Sequence, residues 1–151
     1  MKKILLIILS LLVLVGCNKD NKPFSLDSEY YNDGKIIDID SNGIKKLEKE
    51  KKSFAVFVNL KGCTSCIEFK KVLDQFMDEY KIDFYSLSVN DIEGTCIDDC
   101  VKYSPSVVIY HKGKVVASLD AIKNEDLPYY ESVEGFKSWF NKYVILEESN
   151  N

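Results

Sequence analysis

The chain has 151 residues, 46% apolar and 12% aromatic, enough to bury a core and to exclude global disorder. All 20 basic side chains are Lys against 24 acids, a net charge of −4, which argues against a basic nucleic-acid-binding face. With one His, His111, catalytic triads and His-rich metal sites would all have to pass through that residue, so the five Cys are where chemistry is to be sought.

The chain opens with a short basic stretch, Met1 to Lys3, followed by Ile4 to Val15, apolar except for Ser10. As a helix this run rises about 18 Å, short of the roughly 30 Å hydrocarbon core, so it reads as an export signal rather than a span. Leu14-Val15-Gly16-Cys17 resembles the bacterial lipobox. The resemblance implies cleavage before Cys17 and a diacylglyceryl thioether on it, holding the protein at the extracytoplasmic face of a bacterial membrane. Several acyl chains, at about 0.8 kcal/mol per buried CH₂, make such an anchor stable. Residues 1–16 are then the signal peptide. Residues 17–34 are the lipidated Cys and a polar tether that includes Pro23. The folded domain spans 35–147, and 148–151 form a frayed tail.

Within the domain, Ile36 to Ile39 is a short strand, and Ser41 or Asn42 caps a Lys-rich helix carrying Ile44 and Leu47. Phe54 to Val58 is a continuous apolar run, the pattern of a strand buried on both faces. After a break at Lys61-Gly62, Phe69, Val72, Leu73, Phe76 and Tyr80 fall on one face of a helix. Ile82 to Val89 is a second internal strand, and Gly94 to Tyr103 a short helix or helical loop. Val107 to Tyr110 and Val115 to Leu119 are joined through His111-Lys112-Gly113-Lys114 as a hairpin. Val133, Phe136, Trp139 or Phe140, and Tyr143 mark a closing helix. The order β-α-β-α-β-α-β-β-α describes an α/β fold of three layers with a mixed central sheet.

Cys63-Thr64-Ser65-Cys66 stands where the buried strand turns into the long helix. Unpaired N–H groups and the positive end of the helix dipole stabilise a thiolate there, which makes Cys63 a candidate nucleophile. Cys66, one turn further, is placed to close a disulfide with it. Zinc ribbons use the same spacing, so the motif alone leaves a zinc or copper(I) site open. Tyr103-Ser104-Pro105-Ser106 lies directly before the hairpin. A Pro heading an internal strand cannot donate to the ladder, and a cis bond explains it.

The strand–CxxC–helix element followed by X-Pro before a β-hairpin resembles the thioredoxin superfamily, over roughly Ile36 to Leu146. The resemblance implies a thioredoxin-like fold and thiol–disulfide exchange with protein substrates and a redox partner, with no metal or organic cofactor. It implies that Cys63 is the attacking and Cys66 the resolving Cys. Pro105 becomes the cis-Pro packed against them, and Ser104 the residue whose backbone pairs with substrate by strand addition. The chain also departs from thioredoxins proper: Gly62 stands where they carry an aromatic, Thr64-Ser65 replaces Gly-Pro, and Phe57 occupies the position of their buried acid. Lipid-anchored thioredoxin-like proteins and accessory thiol oxidoreductases of bacteriocin maturation are similar in layout.

With Cys63 bridged to Cys66 and Cys17 lipidated, Cys96 and Cys100 are left to each other, and an oxidising compartment favours their pairing. A structural staple, a second redox pair relaying electrons to Cys63, and two free thiols are the alternatives. His111 reads as a hairpin surface residue, Lys61 as a solvated loop Lys that can also support the Cys63 thiolate, and Asp120 to Glu131 as a long connection able to meet a partner. A non-catalytic interaction module that kept the fold is the remaining functional alternative.

Overall fold

The computed structural model describes residues 22–146. The expected export signal, Cys17, residue 147 and the expected tail over 148–151 lie outside the described residues. Five strands and three α-helices follow one another as β1 (Ile36–Asp38), α1 (Ser41–Lys49), β2 (Ala55–Asn59), α2 (Thr64–Tyr80), β3 (Phe84–Ser88), β4 (Ser106–His111), β5 (Lys114–Asp120) and α3 (Val133–Phe140). The strands form one sheet in the order β1-β3-β2-β4-β5. Strands β1 and β2 flank β3 in parallel, whereas β4 runs antiparallel to both β2 and β5.

Strand β2 sits at the centre, and Ala55 to Val58 are all buried because both faces of the sheet are covered. One face carries α2 and α3. There Phe76, Phe84, Phe136 and Phe140 meet edge-to-face or tilted, with Phe76 and Phe136 centroids 4.8 Å apart. On the other face, α1 packs with the loop over residues 92–101, tied by the Cys96 N–H donating to Glu48 Oε1.

Four sequence expectations are corrected. Asp40, not Ser41 or Asn42, caps α1: its Oδ1 accepts from the Gly43 N–H at 2.7 Å. The segment expected as a tether is part of the domain from Phe24 onward. Phe24 bridges to Val144, and Leu26 and Tyr30 are buried, Tyr30 against Phe54 and Tyr85, because this stretch carries apolar side chains that find the core. Third, the element order written with a helix between β3 and β4 loses it: of the short helix or helical loop expected over Gly94 to Tyr103, the loop is found. The Thr95 hydroxyl donates to the Ile92 carbonyl and accepts from the Ile97 N–H, so a side chain takes up the groups a helical ladder would use. Gly94 precedes it in the left-handed region, and turns close the rest.

The fourth correction concerns Cys96 and Cys100, which are not bridged. The Cys100 Sγ lies 3.4 Å from the Ile97 carbonyl, and burial, with Glu48 beside Cys96, holds both thiols above their ordinary titration range. The thiolate that would open an exchange is thereby disfavoured.

The hairpin turns on Lys112 and Gly113, both with positive φ. At Gly113 a Cβ would meet the Glu48 carbonyl at 2.2 Å, so the hairpin tip can lie against the end of α1 only with glycine there.

Candidate functional site

Cys63 is the N-cap of α2, and its Sγ accepts from the Cys66 N–H at 3.1 Å. Cys63 and Cys66 form a disulfide with Cα atoms 5.2 Å apart. The Ser65 hydroxyl, 3.3 Å from the same sulfur, also donates to it, since a bridged sulfur has no hydrogen to offer. Once the bridge is reduced, these donors and the helix dipole point at the Cys63 sulfur and favour its thiolate. The two residues differ in exposure: Cys63 is half-buried and Cys66 only 4% exposed. An incoming group therefore reaches Cys63 first.

Two hollows flank the disulfide. On the cis-Pro side a groove of about 630 Å³ is lined by Thr64, Ser65, Phe69, Pro105, Leu127 and Tyr130, among others. The Ser104–Pro105 peptide bond is cis, and Pro105 shares this groove with the two residues between the cysteines. The structure thus brings together the CxxC turn and the X-Pro loop, which are far apart in sequence. Ser104 makes no hydrogen bond with its backbone among the described residues, while the carbonyls on both sides of it are capped: Tyr103 by the Ser106 hydroxyl at 2.8 Å, Pro105 by the Tyr130 hydroxyl at 3.0 Å.

The second hollow, about 400 Å³, opens on Cys66 and is lined by Asp38, Phe57, Asn59, Lys61, Ile67 and Ser86 among others. Phe57 is buried here and tilts against Phe69 at 5.9 Å, so β2 offers Cys66 an aromatic ring rather than an acid. Its polar side is a row across three neighbouring strands: Asp38 pairs in register with Ser86, whose Oγ accepts from Asn59 Nδ2 at 2.8 Å. Lys61 is exposed on the rim.

Cys96 and Cys100 lie elsewhere, on the α1 side of the sheet with Glu48 and Ser118. His111 closes β4, its Nδ1 3.3 Å from the Ser53 hydroxyl and its ring 3.9 Å from Phe24, far from the disulfide along the strand. Burial lowers its pKa. Among the described residues no group of three or more His, Cys, Asp or Glu side chains is placed to hold a metal ion, and no helix is long and apolar enough to cross a membrane.

In the sequence Tyr130 falls simply within the long connection over residues 120–131, and Glu48 and Asn59 carry no signal of a role. No local pattern marks them, because each acts on a partner from a distant element.

No family model and no curated protein matches the sequence. Solved structures do match its fold. A Schistosoma mansoni thioredoxin superposes with a TM-score of 0.55 at 17% identity, over 75% of this chain and 99% of that one. A mutant thioredoxin from Halobacterium salinarum gives 0.55 at 12% identity, over 77% and 96%. The oxidised thioredoxin of Plasmodium falciparum gives 0.50 at 16% identity, over 74% and 98%. The chain has the thioredoxin-like α/β fold, a mixed five-stranded sheet with helices on both faces.

Proposed function

We propose that this chain is a thiol–disulfide oxidoreductase held by lipid at the outer face of a bacterial membrane, exchanging disulfides with protein substrates through Cys63. The observation that carries the reading is the Cys63–Cys66 disulfide at the start of α2, with Cys63 the more exposed residue, Cys66 buried, and the two residues between them lining the cis-Pro groove. In the reducing direction the Cys63 thiolate attacks a substrate disulfide, a mixed disulfide forms and one substrate thiolate leaves. Cys66 then gives up its proton and attacks the Cys63 sulfur, which restores the bridge and releases the second substrate thiol. The oxidising direction is the same sequence reversed. Sulfur supplies all of this chemistry. Anchoring rests on the short apolar start and the lipobox ending at Cys17.

One experiment tests both halves. Cys66→Ser leaves a Cys63 thiol with no resolving partner. Membrane fractions of cells expressing it should accumulate mixed disulfides on non-reducing gels, and mass spectrometry should find acylated Cys17 at the N-terminus. Cys63→Ser should trap nothing. Equal trapping by the two variants would overturn the assignment of roles, and an unmodified chain in the soluble fraction would overturn the anchor.

A further inference from the structure

Pro105 stands one step outside the sheet. The last rungs beside it are Val58 with Ser106 and Ser106 with Asp120. The Pro105 carbonyl accepts from the hydroxyl of Tyr130, at 3.0 Å. The ring of the same side chain stands edge-on to Phe69 with centroids 4.6 Å apart. Phe69 lies one turn beyond Cys66 on the buried face of α2. One residue from the connection between β5 and α3 therefore touches both halves of the site, the helix that bears the disulfide and the backbone that carries the cis-Pro. It also lines the groove between them.

The hydrogen-bond inventory around Ser104 gives this contact its consequence. With the Tyr103 and Pro105 carbonyls capped by Ser106 and Tyr130, the backbone N–H and C=O of Ser104 between them make no hydrogen bond among the described residues. Backbone polar groups beside a groove are satisfied by water or by an incoming chain. An extended polypeptide that pairs with Ser104 and lays side chains along the groove is oriented by that loop. A small disulfide needs only access to the Cys63 sulfur. Burial, reinforced by Asp120 and Asp126, keeps the Tyr130 phenol protonated and thus a donor.

We propose that Tyr130 is a positioning residue: by holding the Pro105 carbonyl while resting on Phe69, it sets the Ser104 backbone against the Cys63–Cys66 disulfide for polypeptide substrates in preference to small disulfides. The proposal rests on the oxidoreductase reading and adds the residue that positions its polypeptide substrates.

The test compares the whole protein with Tyr130→Phe, which keeps the ring and removes the hydroxyl. Dithiothreitol supplies electrons by reducing the Cys63–Cys66 bridge. Insulin is the polypeptide disulfide, hydroxyethyl disulfide the small one. Losing one neutral hydrogen bond predicts that the ratio of kcat/KM for insulin to that for hydroxyethyl disulfide falls about threefold to tenfold, mainly through a higher KM for insulin. Tyr129→Phe, whose hydroxyl accepts from Lys142 Nζ outside the groove, should leave the ratio as in the wild type. An unchanged ratio in Tyr130→Phe overturns the proposal, as does an equal loss on both substrates, which marks a merely structural role. A wild-type protein that reduces neither substrate overturns the oxidoreductase reading itself, and that result is distinct because it appears before any substitution is made.

Discussion

Single residues here act mainly by closing hydrogen bonds across the fold. Glu48 Oε1 accepts from the Tyr110 hydroxyl at 2.7 Å and from the Cys96 N–H at 2.8 Å, joining α1 to β4 and to the loop beneath it. Tyr110 is fully buried and stacks on Phe54 with centroids 4.4 Å apart, so its hydroxyl has no recourse to water. Glu48→Ala should therefore destabilise the fold by about 1–3 kcal/mol, the cost of a buried donor left without its acceptor. Glu48→Gln keeps an oxygen in place and should lose less. Adding Tyr110→Phe to Glu48→Ala should recover part of the loss, since neither partner then remains unpaired. Urea titrations of the three variants measure this, and a neutral Glu48→Ala would contradict it. Phe57 illustrates the other kind of residue effect: an aromatic ring packs against Phe69 where it also walls the hollow that opens on Cys66, leaving Asp38, on β1, as the carboxylate lining that hollow.

At the scale of elements, the contrast is between α2 and the loop over residues 92–101. Helix α2 runs for 17 residues, with Phe69, Leu73, Phe76, Met77 and Tyr80 buried along one side, so its N-terminus and the disulfide on it are rigidly placed. The loop has turns instead of a helix, yet Ile97 and Val101 anchor it in the core. Its two cysteines are thiols, one exposed and one half-buried. Iodoacetamide applied to the native protein should therefore alkylate Cys96 before Cys100, and both slowly at neutral pH, because burial and nearby carboxylates disfavour the thiolates. Peptide mapping by mass spectrometry gives the order. Neither thiol reacting without prior reduction would show a bridge, and Cys100 reacting first would contradict the packing.

The whole molecule extends beyond the sheet and its helices. Phe24 pairs with Val144, and the Leu26 N–H donates to the Tyr31 hydroxyl, so the chain entering the domain is laid against the chain leaving it. Leu26 and Tyr30 are each 3% exposed. A chain beginning at Lys22 should melt like the full-length protein, whereas one beginning at Lys35 should lose several kcal/mol, at about 1.5–3 kcal/mol per large apolar side chain uncovered. Circular dichroism melts of the two truncations decide this, and equal melting temperatures would return residues 24–34 to the role of a tether. Under the proposed lipid anchor at Cys17, residues 18–23 are all that stands in sequence between the anchor and Phe24, where the domain begins.

What the sequence determined by itself were features whose cause is local. The buried run Phe54–Val58, the apolar face of α2, the Lys112-Gly113 turn and the CxxC at a strand–helix junction each follow from side-chain period or turn chemistry within one segment, and together they were enough for the fold and for the Cys63–Cys66 pair. The tertiary structure decided whatever depends on a distant partner. Asp40 rather than Ser41 caps α1 because the approach of the backbone, not residue type, selects among neighbouring acceptors. Residues 24–31 join the core because Phe54, Tyr85 and the segment around Val144 leave apolar surface for them, which polar composition around them conceals. Cys96 and Cys100 are thiols in the folded chain, although counting cysteines pairs them. Tyr130 enters the site because its hydroxyl meets a carbonyl 25 residues away in sequence. Periodicity records which side of an element is buried, and it carries no information about which group on another element will meet it there.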